Sequence, residues 1–209
     1  MRSPIYWHPF LYELSIRLLY GRHYNERFFA VAQYVNEGES VVDICAGDCA
    51  LHRYALKERG ASYLACDINE TFLFWAQRRN IKTKQLDVME SGVPQADCVI
   101  MMGSLCQFIP NEKKVIEKMV AAAGRVVIIT EPVRNWSQSR WGVLRWLGRF
   151  GSRLDSGEAP LRFTQETLTP VLQACGFQTV QLIAGGRELI AVLDKSRLPT
   201  SGEGPKSHT

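Results

Sequence analysis

Hydrophobic residues follow two different periods along the chain, and the two periods alternate. Short apolar runs of strand length stand at 38–46, 62–68, 83–88, 96–104 and 124–132. Between the runs, apolar residues recur at helical spacing over 48–59, from about Glu70 to Arg79, and over 111–123. Strands that alternate with helices predict a parallel sheet that is covered on both faces.

The two ends of this pattern depart from the alternation. Residues 9–35 carry helical spacing that is interrupted near "YGRHYNE", which predicts two helices or one kinked helix. A helix over 164–175, opened by Thr164, precedes two strand-like runs that meet at Gly185 and Gly186. A glycine pair between two such runs indicates a hairpin. We therefore predict an α/β fold with a seven-stranded, mostly parallel sheet, a C-terminal antiparallel hairpin strand, helices on both faces and an N-terminal helical cap.

The same pattern predicts one main domain. We expect the cap over 1–36, the sheet domain over 37–195, and a tail over 196–209 that is disordered because it is polar and rich in Gly, Pro and Ser. The interval 134–163 is too long to be a simple connection in a compact α/β domain, so we interpret it as a substrate lid.

Within this lid, residues 137–154 have the pattern of a basic amphipathic helix. An apolar stripe lies opposite arginines that recur every fourth residue, namely Arg145, Arg149 and Arg153. Such a helix could contact an anionic membrane surface, or bind an anionic or lipid-linked acceptor. The alternative is a lid helix that packs on its own domain with solvated arginines, and this packed lid is the interpretation that we favour.

Composition narrows the class of protein. The chain has 209 residues, 46% of them hydrophobic, and a formal net charge of only +4, so no extended basic face indicates a nucleic-acid partner. Six scattered cysteines form no CxxC pair, which predicts reduced thiols and no metal site. The apolar N-terminus resembles neither a signal peptide nor a spanning helix, because it is interrupted by His8, Pro9, Glu13 and Arg17. We expect a cytoplasmic protein that contacts membranes at most at their surface.

Three acidic residues stand where consecutive predicted strands end: Asp43, Asp67 and Asp87. Taken singly, such residues are usually turn formers or helix caps. Three in register favour a ligand site, because ligands of open parallel sheets bind at the carboxyl ends of the strands.

The turn after the first strand narrows the ligand class. It offers Gly47 alone within "CAGDCA", so the GxGxxG pattern of dinucleotide sites is absent, and so is the Walker pattern. Carboxylates suit a nucleoside better, since Asp67 could accept both ribose hydroxyls and Asp87 an adenine amine.

The order of these segments resembles that of class I S-adenosylmethionine-dependent methyltransferases. The matching stretches are "VVDICAGDCALHRYAL", "YLACDINETFLFWAQRR", "KQLDV", "ADCVIMMGSLCQFIP", "GRVVIITEPV", "FTQETLTPVLQACGF" and "ELIAVLDK", which together cover about 38 to 195. The likeness is greatest to the small-molecule branch of types 11 and 25. It implies a Rossmann-like fold, S-adenosylmethionine as cofactor, S-adenosylhomocysteine as product, and methyl transfer by in-line displacement to a small-molecule or lipid-like acceptor.

The resemblance also implies which residues hold the cofactor. The turn that surrounds the amino-acid moiety corresponds to Asp43, Cys45, Ala46 and Gly47. The ribose and adenine contacts correspond to Asp67, Ile68, Asp87 and Val88. The strand tip under the methionine portion corresponds to Met102, Gly103 and Ser104. The chain departs from the family at Cys45 and Cys49, where glycines are usual, and at Gln107, where histidine is common.

Methyl transfer from a sulfonium depends on alignment, and it needs a general base only if the acceptor must lose a proton. The catalytic candidates are Glu131, after the fifth strand, and His23, for which a surface or capping role is the alternative. Tyr24 and Gln107 are further candidates, because both are expected near the opening of the predicted ligand site. Other function classes stay open: a non-catalytic cofactor-binding subunit, or a protein or nucleic-acid methyltransferase. A nicotinamide-dependent oxidoreductase is disfavoured by the missing GxGxxG. The sequence does not specify the acceptor atom or the oligomeric state.

Overall fold

The computed structural model describes residues 9–133 and 162–197, which form one seven-stranded sheet with helices around it. The helices are α1 Pro9–Tyr20, α2 Glu26–Ala32, α3 Glu70–Gln77, α4 Glu112–Ala122 and α5 Gln165–Ala174. The strands are β1 Ser40–Ile44, β2 Ser62–Asp67, β3 Lys82–Gln85, β4 Ala96–Met102, β5 Ala123–Pro132, β6 Thr179–Ile183 and β7 Glu188–Asp194.

The strand order is β3-β2-β1-β4-β5-β7-β6. Strands β1 to β5 pair in parallel, and β7 lies antiparallel between β5 and β6. The predicted mixed sheet and its C-terminal hairpin are thereby confirmed. The winding reverses between β1 and β4, and the crevice outside the carboxyl ends of these two strands is the usual ligand position in such a sheet.

The central strands are buried on both faces, which explains their continuous apolar runs. In β4, Cys98 and Ile100 pack on the side of α2, whereas Val99 and Met101 pack on the side of α4 and α5. This alternation follows from the two-residue period of a strand. The two clusters form one core on each side of the sheet.

The helix predicted over 48–59 is present from Ala50 to Arg59 but is irregular. After a short helical start, His52–Leu56 form a π-helical turn and Lys57–Arg59 a 3-10 turn, which Gly60 ends with a left-handed φ of 62°. Leu51 and Leu56 are both buried, and their spacing of five residues suits the i→i+5 bonding of a π-turn.

The third strand is also shorter than predicted. It ends at Gln85, so Asp87 lies two residues beyond the strand. The Leu86 N–H still donates to the Asp67 carbonyl at the end of β2, and the chain then turns at Asp87, whose carboxylate accepts the Met89 N–H at 2.9 Å.

Several predictions from the sequence lie outside the described residues: nearly all of the lid at 134–163, the amphipathic helix at 137–154, and the tail after 197. Among the helices of residues 9–133 and 162–197, none is both long and apolar enough to cross a bilayer.

Candidate ligand site at the carboxyl ends of the strands

A polar cleft opens between the N-terminal helices and the turn after β1. The sheet side of the cleft is formed by Asp43, Cys45, Ala46, Gly47, Asp48, Ala50, Leu51 and Met102. The helical side is formed by Tyr12, Ile16, Tyr24, Arg27 and Phe28.

The turn after β1 has an unusual backbone. Cys45, Gly47 and Cys49 all have left-handed φ angles, of 57°, 54° and 56°. For a residue other than glycine this conformation costs roughly 1–2 kcal/mol. The chain therefore keeps the backbone of a glycine-rich turn although two of its positions are cysteines. A Cβ atom at Gly47 would lie 3.8 Å from the Tyr12 ring, so α1 covers this turn closely.

Asp67 joins the turn to the end of β2. Its carboxylate accepts the Gly47 N–H at 2.9 Å and the Asn69 N–H at 2.8 Å. Asn69 in turn caps α3 by accepting the Thr71 N–H at 3.0 Å. The predicted ribose acceptor thus also holds the two loops of the site in register.

Asp43 lies at the floor of the cleft and is 3% exposed. The Tyr63 hydroxyl donates to its Oδ2 atom. Burial raises the pKa of Asp43 to about 7. A carboxyl group with such a pKa is poised to ionise when a cation approaches, and perturbed groups of this kind cluster at functional sites.

A charged network connects α1 to the turn. The Arg53 Nη2 atom lies 2.6 Å from Asp48 Oδ2 and 3.0 Å from Glu13 Oε2. Glu13 also accepts from the Tyr54 hydroxyl and from Arg17. The sequence analysis missed this network, although an acidic residue within an apolar helix is a signal for it.

The predicted adenine contacts differ in their exposure. Ile68 is 50% exposed, whereas Val88 is 3% exposed and belongs to the core. Asp87 accepts the Met89 N–H, which is the turn-forming role that a single acidic residue at a strand end usually has. Of the three, Ile68 presents the apolar surface that a flat base could cover.

The tip of β4 lies beside Asp43, because Ile44 pairs with Met101 in the sheet. Gly103 has a left-handed φ of 63°, and its N–H donates to the Thr130 carbonyl at 2.7 Å. Ser104 is 7% exposed and its hydroxyl donates to the Met102 carbonyl at 3.3 Å. The structure therefore brings the tips of β1 and β4 together at the cleft.

The two catalytic candidates do not line the cleft. Glu131 is 1% exposed, accepts the Leu105 N–H at 2.8 Å, and has a pKa that burial raises to about 7. His23 places its Nδ1 atom 2.6 Å from Glu26 Oε2, and its ring packs against Gly185 in the β6–β7 turn. Their catalytic roles stay predictions. Of the further candidates, Tyr24 lines the cleft and Gln107 is exposed in a 3-10 turn.

A buried ion pair on the helical side was also missed. Arg27 Nε lies 2.9 Å from Glu188 Oε2, and Nη2 donates to Glu188 Oε1 at 3.2 Å. Thr130 donates its hydroxyl to the same carboxylate. Arg27 and Glu188 each stand within an apolar stretch, which is the only local signal that the two meet.

The cysteines are all free thiols. Burial raises the pKa of Cys45 and of Cys49. In the part of the chain that the structure describes, no group of three or more His, Cys, Asp or Glu residues could hold a metal ion.

Comparison with known proteins rests on structure. No family model and no curated protein matches the sequence. The fold is similar to that of magnesium protoporphyrin IX methyltransferase from Synechocystis PCC 6803, solved with S-adenosylhomocysteine: the TM-score is 0.63 and the identity 17%, over 87% of this chain and 85% of that chain. A chain of the complex between the Haloferax volcanii Trm112 methyltransferase activator and a putative methyltransferase aligns with a TM-score of 0.68 and 13% identity, over 92% and 97% of the two chains. Human N-acetylserotonin methyltransferase, solved with S-adenosylmethionine, aligns with a TM-score of 0.61 and 16% identity, over 90% of this chain and 56% of that chain.

The same fold also occurs in a solved structure that is named a cyclase. The [4+2]-cyclase SpnF aligns with a TM-score of 0.56 and 14% identity, over 78% of this chain and 61% of that chain. At such low identities the likeness establishes the fold, which the chain shares with solved S-adenosylmethionine-dependent methyltransferases, and the reaction must be argued from the site.

Proposed function

We propose that the chain binds S-adenosylmethionine in the cleft and transfers its methyl group to a small-molecule or lipid-like acceptor, with S-adenosylhomocysteine as the product. One observation carries this proposal. The acids at the tips of β1 and β2, Asp43 and Asp67, flank a left-handed turn at Gly47 that lines the cleft beneath the N-terminal helices.

The donor set suits the parts of such a ligand. In this proposal Asp43, at the cleft floor, would receive an ammonium group, and Asp67, beside the exposed Ile68, would accept ribose hydroxyls in addition to its backbone bonds. The Gly47 turn brings backbone close to the ligand because it carries no side chain there. The three left-handed residues also differ from the glycine pattern of a dinucleotide turn, which argues for S-adenosylmethionine over a nicotinamide cofactor.

The chemistry requires little of the protein beyond placement. The sulfonium supplies an activated methyl group, and the cleft would hold it in line with the acceptor and exclude water. A base is needed only for acceptors that lose a proton. We keep Glu131 and His23 as the candidates for that step; the pKa of about 7 suits Glu131 for proton transfer near neutral pH.

We propose a cytoplasmic protein, because its cysteines are scattered free thiols. The net charge of only +4 favours no nucleic-acid partner, and we propose membrane contact at most through 137–154. The alternatives, a non-catalytic cofactor-binding subunit or a methyltransferase acting on protein or nucleic acid, share the same cofactor site. They differ only in whether a methyl acceptor binds beside that site and in the class of that acceptor.

Calorimetric titration with S-adenosylhomocysteine and with NAD tests the proposal. We expect S-adenosylhomocysteine to bind and NAD not to bind. Asp67→Ala should weaken S-adenosylhomocysteine binding by roughly 10- to 100-fold, because charge-assisted bonds to the ribose and the bond that orders the Gly47 turn are lost together.

Asp97→Ala is the matched control. Asp97 also accepts two hydrogen bonds, from the N–H and the hydroxyl of Ser40, but it lies at the opposite end of the sheet. Its loss should leave the affinity within about twofold, since additivity holds for distant sites. Binding of NAD alone, or unchanged affinity in Asp67→Ala, would show the site assignment to be wrong.

A further inference from the structure

The side chain of Lys118, in α4, binds the backbone of the loop that follows β3. Its Nζ atom donates to the carbonyl oxygens of Val88 and Met89, each at 2.7 Å, and of Ser91 at 3.0 Å. An ammonium group has three N–H donors, so these contacts use all of them. Three main-chain carbonyl dipoles therefore converge on one cation.

This loop also contains Asp87, the acid that the sequence predicts to accept an adenine amine. The Met89 N–H donates to Asp87 Oδ1 at 2.9 Å, and the Ser91 N–H donates to the Asp87 carbonyl at 2.8 Å. At the start of the loop, the Leu86 N–H donates to the Asp67 carbonyl at 3.0 Å. The loop is thus fixed to β2 at its start and to α4 at its far end, with Asp87 between the two attachments.

The attachment to α4 depends on the ammonium group. Val88 is 3% exposed and Met89 packs against the core, so water has little access to this part of the loop. Buried carbonyl groups without a partner are costly, and converging carbonyl dipoles repel one another unless a cation lies between them. Loss of the ammonium group would therefore favour a different loop backbone. Because Asp87 directly precedes Val88, its carboxylate would move as well.

We infer that Lys118 is a positioning residue for recognition of the ligand's base: its ammonium group holds residues 86–91 in the conformation that presents the Asp87 carboxylate to the exocyclic amine. This inference rests on the proposed function and adds to it a residue of α4 whose three donors are all used within the protein. Lys118 acts through Asp87 and not by contact with the ligand.

The test compares two ligands by calorimetry on the full chain. They are S-adenosylhomocysteine and S-inosylhomocysteine, which carries a carbonyl oxygen in place of the adenine amine. The wild type should bind S-adenosylhomocysteine roughly 10- to 100-fold more tightly, because the analogue offers Asp87 an acceptor where a donor is needed. In Lys118→Ala this ratio should fall below about threefold, since Asp87 is no longer held in place.

Chemical rescue distinguishes positioning from general support of the fold. Propylammonium matches the atoms that Lys118→Ala removes and can donate to the same three carbonyls. Added to this variant, it should bring the ratio back to within about threefold of the wild-type value. Tetramethylammonium carries the same charge but has no N–H donor, so it should restore nothing. Neither amine should change the ratio in the wild type.

Three variants complete the test. Lys114→Ala, one helical turn earlier and exposed, makes the same change in α4 and should keep the wild-type ratio. Lys118→Met retains the length of the side chain without the ammonium group, so it guards against misfolding of Lys118→Ala and should show the same low ratio. Asp87→Ala should have a ratio near one. Adding Lys118→Ala to it should weaken S-adenosylhomocysteine binding by no more than about twofold further, because the two residues act in series.

The outcomes separate the inference from the proposed function. If Lys118→Ala and Lys118→Met lose thermal stability but keep the wild-type ratio, Lys118 only supports the fold and the inference is wrong. It is also wrong if propylammonium restores the ratio no better than tetramethylammonium. If the wild type binds both ligands equally, the inference fails while the proposed function stands. If the wild type binds neither ligand, the proposed function is overturned, and the inference with it.

Discussion

At the scale of single residues, the turn after β1 stores strain in two cysteines. Cys45 and Cys49 have φ angles of 57° and 56°, a region in which a Cβ atom meets the following carbonyl. The two side chains differ in burial: Cys45 is half-buried and Cys49 is 1% exposed. Replacement by glycine relieves the same strain at both positions but removes a packed side chain only at Cys49.

We predict that Cys45→Gly raises the free energy of unfolding by about 1 kcal/mol, because relief of the left-handed conformation exceeds the lost contacts. Cys49→Gly should be close to neutral, since the cavity offsets the relief. Binding of S-adenosylhomocysteine should be kept or improved in the double variant. Denaturant unfolding measures the stabilities. The control is Cys66→Gly, which should lower the free energy of unfolding because Cys66 lies in the regular strand β2. If Cys45→Gly loses as much stability as Cys66→Gly, the strain is not at Cys45.

Asp43 gives stability a pH dependence of known sign. Its folded pKa of about 7 lies above the usual value of 3.8, so the stability it contributes is present below pH 4 and is lost as pH rises to 7. We predict that Asp43→Asn is more stable than the wild type at pH 8, by about 4 kcal/mol, and that this difference disappears below pH 4.

Thermal unfolding of both proteins between pH 4 and 8 measures this difference. Asp97 provides a control of opposite sign, because hydrogen bonds from Ser40 lower its pKa. Asp97→Asn should therefore be less stable than the wild type by an amount that hardly changes between pH 4 and 8, because Asp97 titrates below this range. A wild-type to Asp43→Asn difference that does not change with pH would mean that Asp43 is not the buried, neutral group that its surroundings indicate.

At the scale of elements, the alternation of apolar runs was sufficient to predict the sheet. Seven strands, their parallel and antiparallel parts and the glycine hairpin all follow from local signals, because burial on both faces or on one face leaves a periodic trace. The π-turn at His52–Leu56 did not follow. Its apolar spacing of five residues is read as an irregular α-helix unless the i→i+5 bonds are seen.

The contacts between elements were predictable only where a family pattern supplied them. The sequence pattern and the resemblance predicted Asp43, Asp67 and Met102, and the structure brings Asp43 and Met102 to the same cleft, with Asp67 bonded to its turn. Arg27 and Glu188 were not predicted, since they stand 161 positions apart and nothing local shows that an arginine in α2 faces a glutamate in β7. Long-range pairs of this kind are decided by packing, which periodicity does not encode.

At the scale of the whole molecule, the N-terminal helices belong to the main core. Val31, Ala32 and Val35 are 0–1% exposed and pack in one cluster with β1, β4, β5 and β7. They also bring to the cleft its helical side, including Phe28 and Arg27. We therefore expect the described parts of the predicted cap over 1–36 and of the predicted domain over 37–195 to unfold together.

Two adjacent phenylalanines of α2 test this cooperation. Phe28 is 4% exposed, lies 5.7 Å from Tyr54 in a stacked arrangement, and lines the cleft, whereas Phe29 is 57% exposed. We predict that Phe28→Ala lowers the free energy of unfolding by about 3–5 kcal/mol, as expected for a large buried side chain, and weakens S-adenosylhomocysteine binding because the wall of the cleft is lost. Phe29→Ala, one position away in the same helix, should change stability by no more than about 0.5 kcal/mol and leave binding unchanged.

Denaturant unfolding followed both by tryptophan fluorescence and by far-ultraviolet circular dichroism should give one coincident transition for each variant. Two separate transitions in Phe28→Ala, with the sheet keeping wild-type stability, would instead mean that the N-terminal helices are an independent cap and that the cleft is assembled from two units.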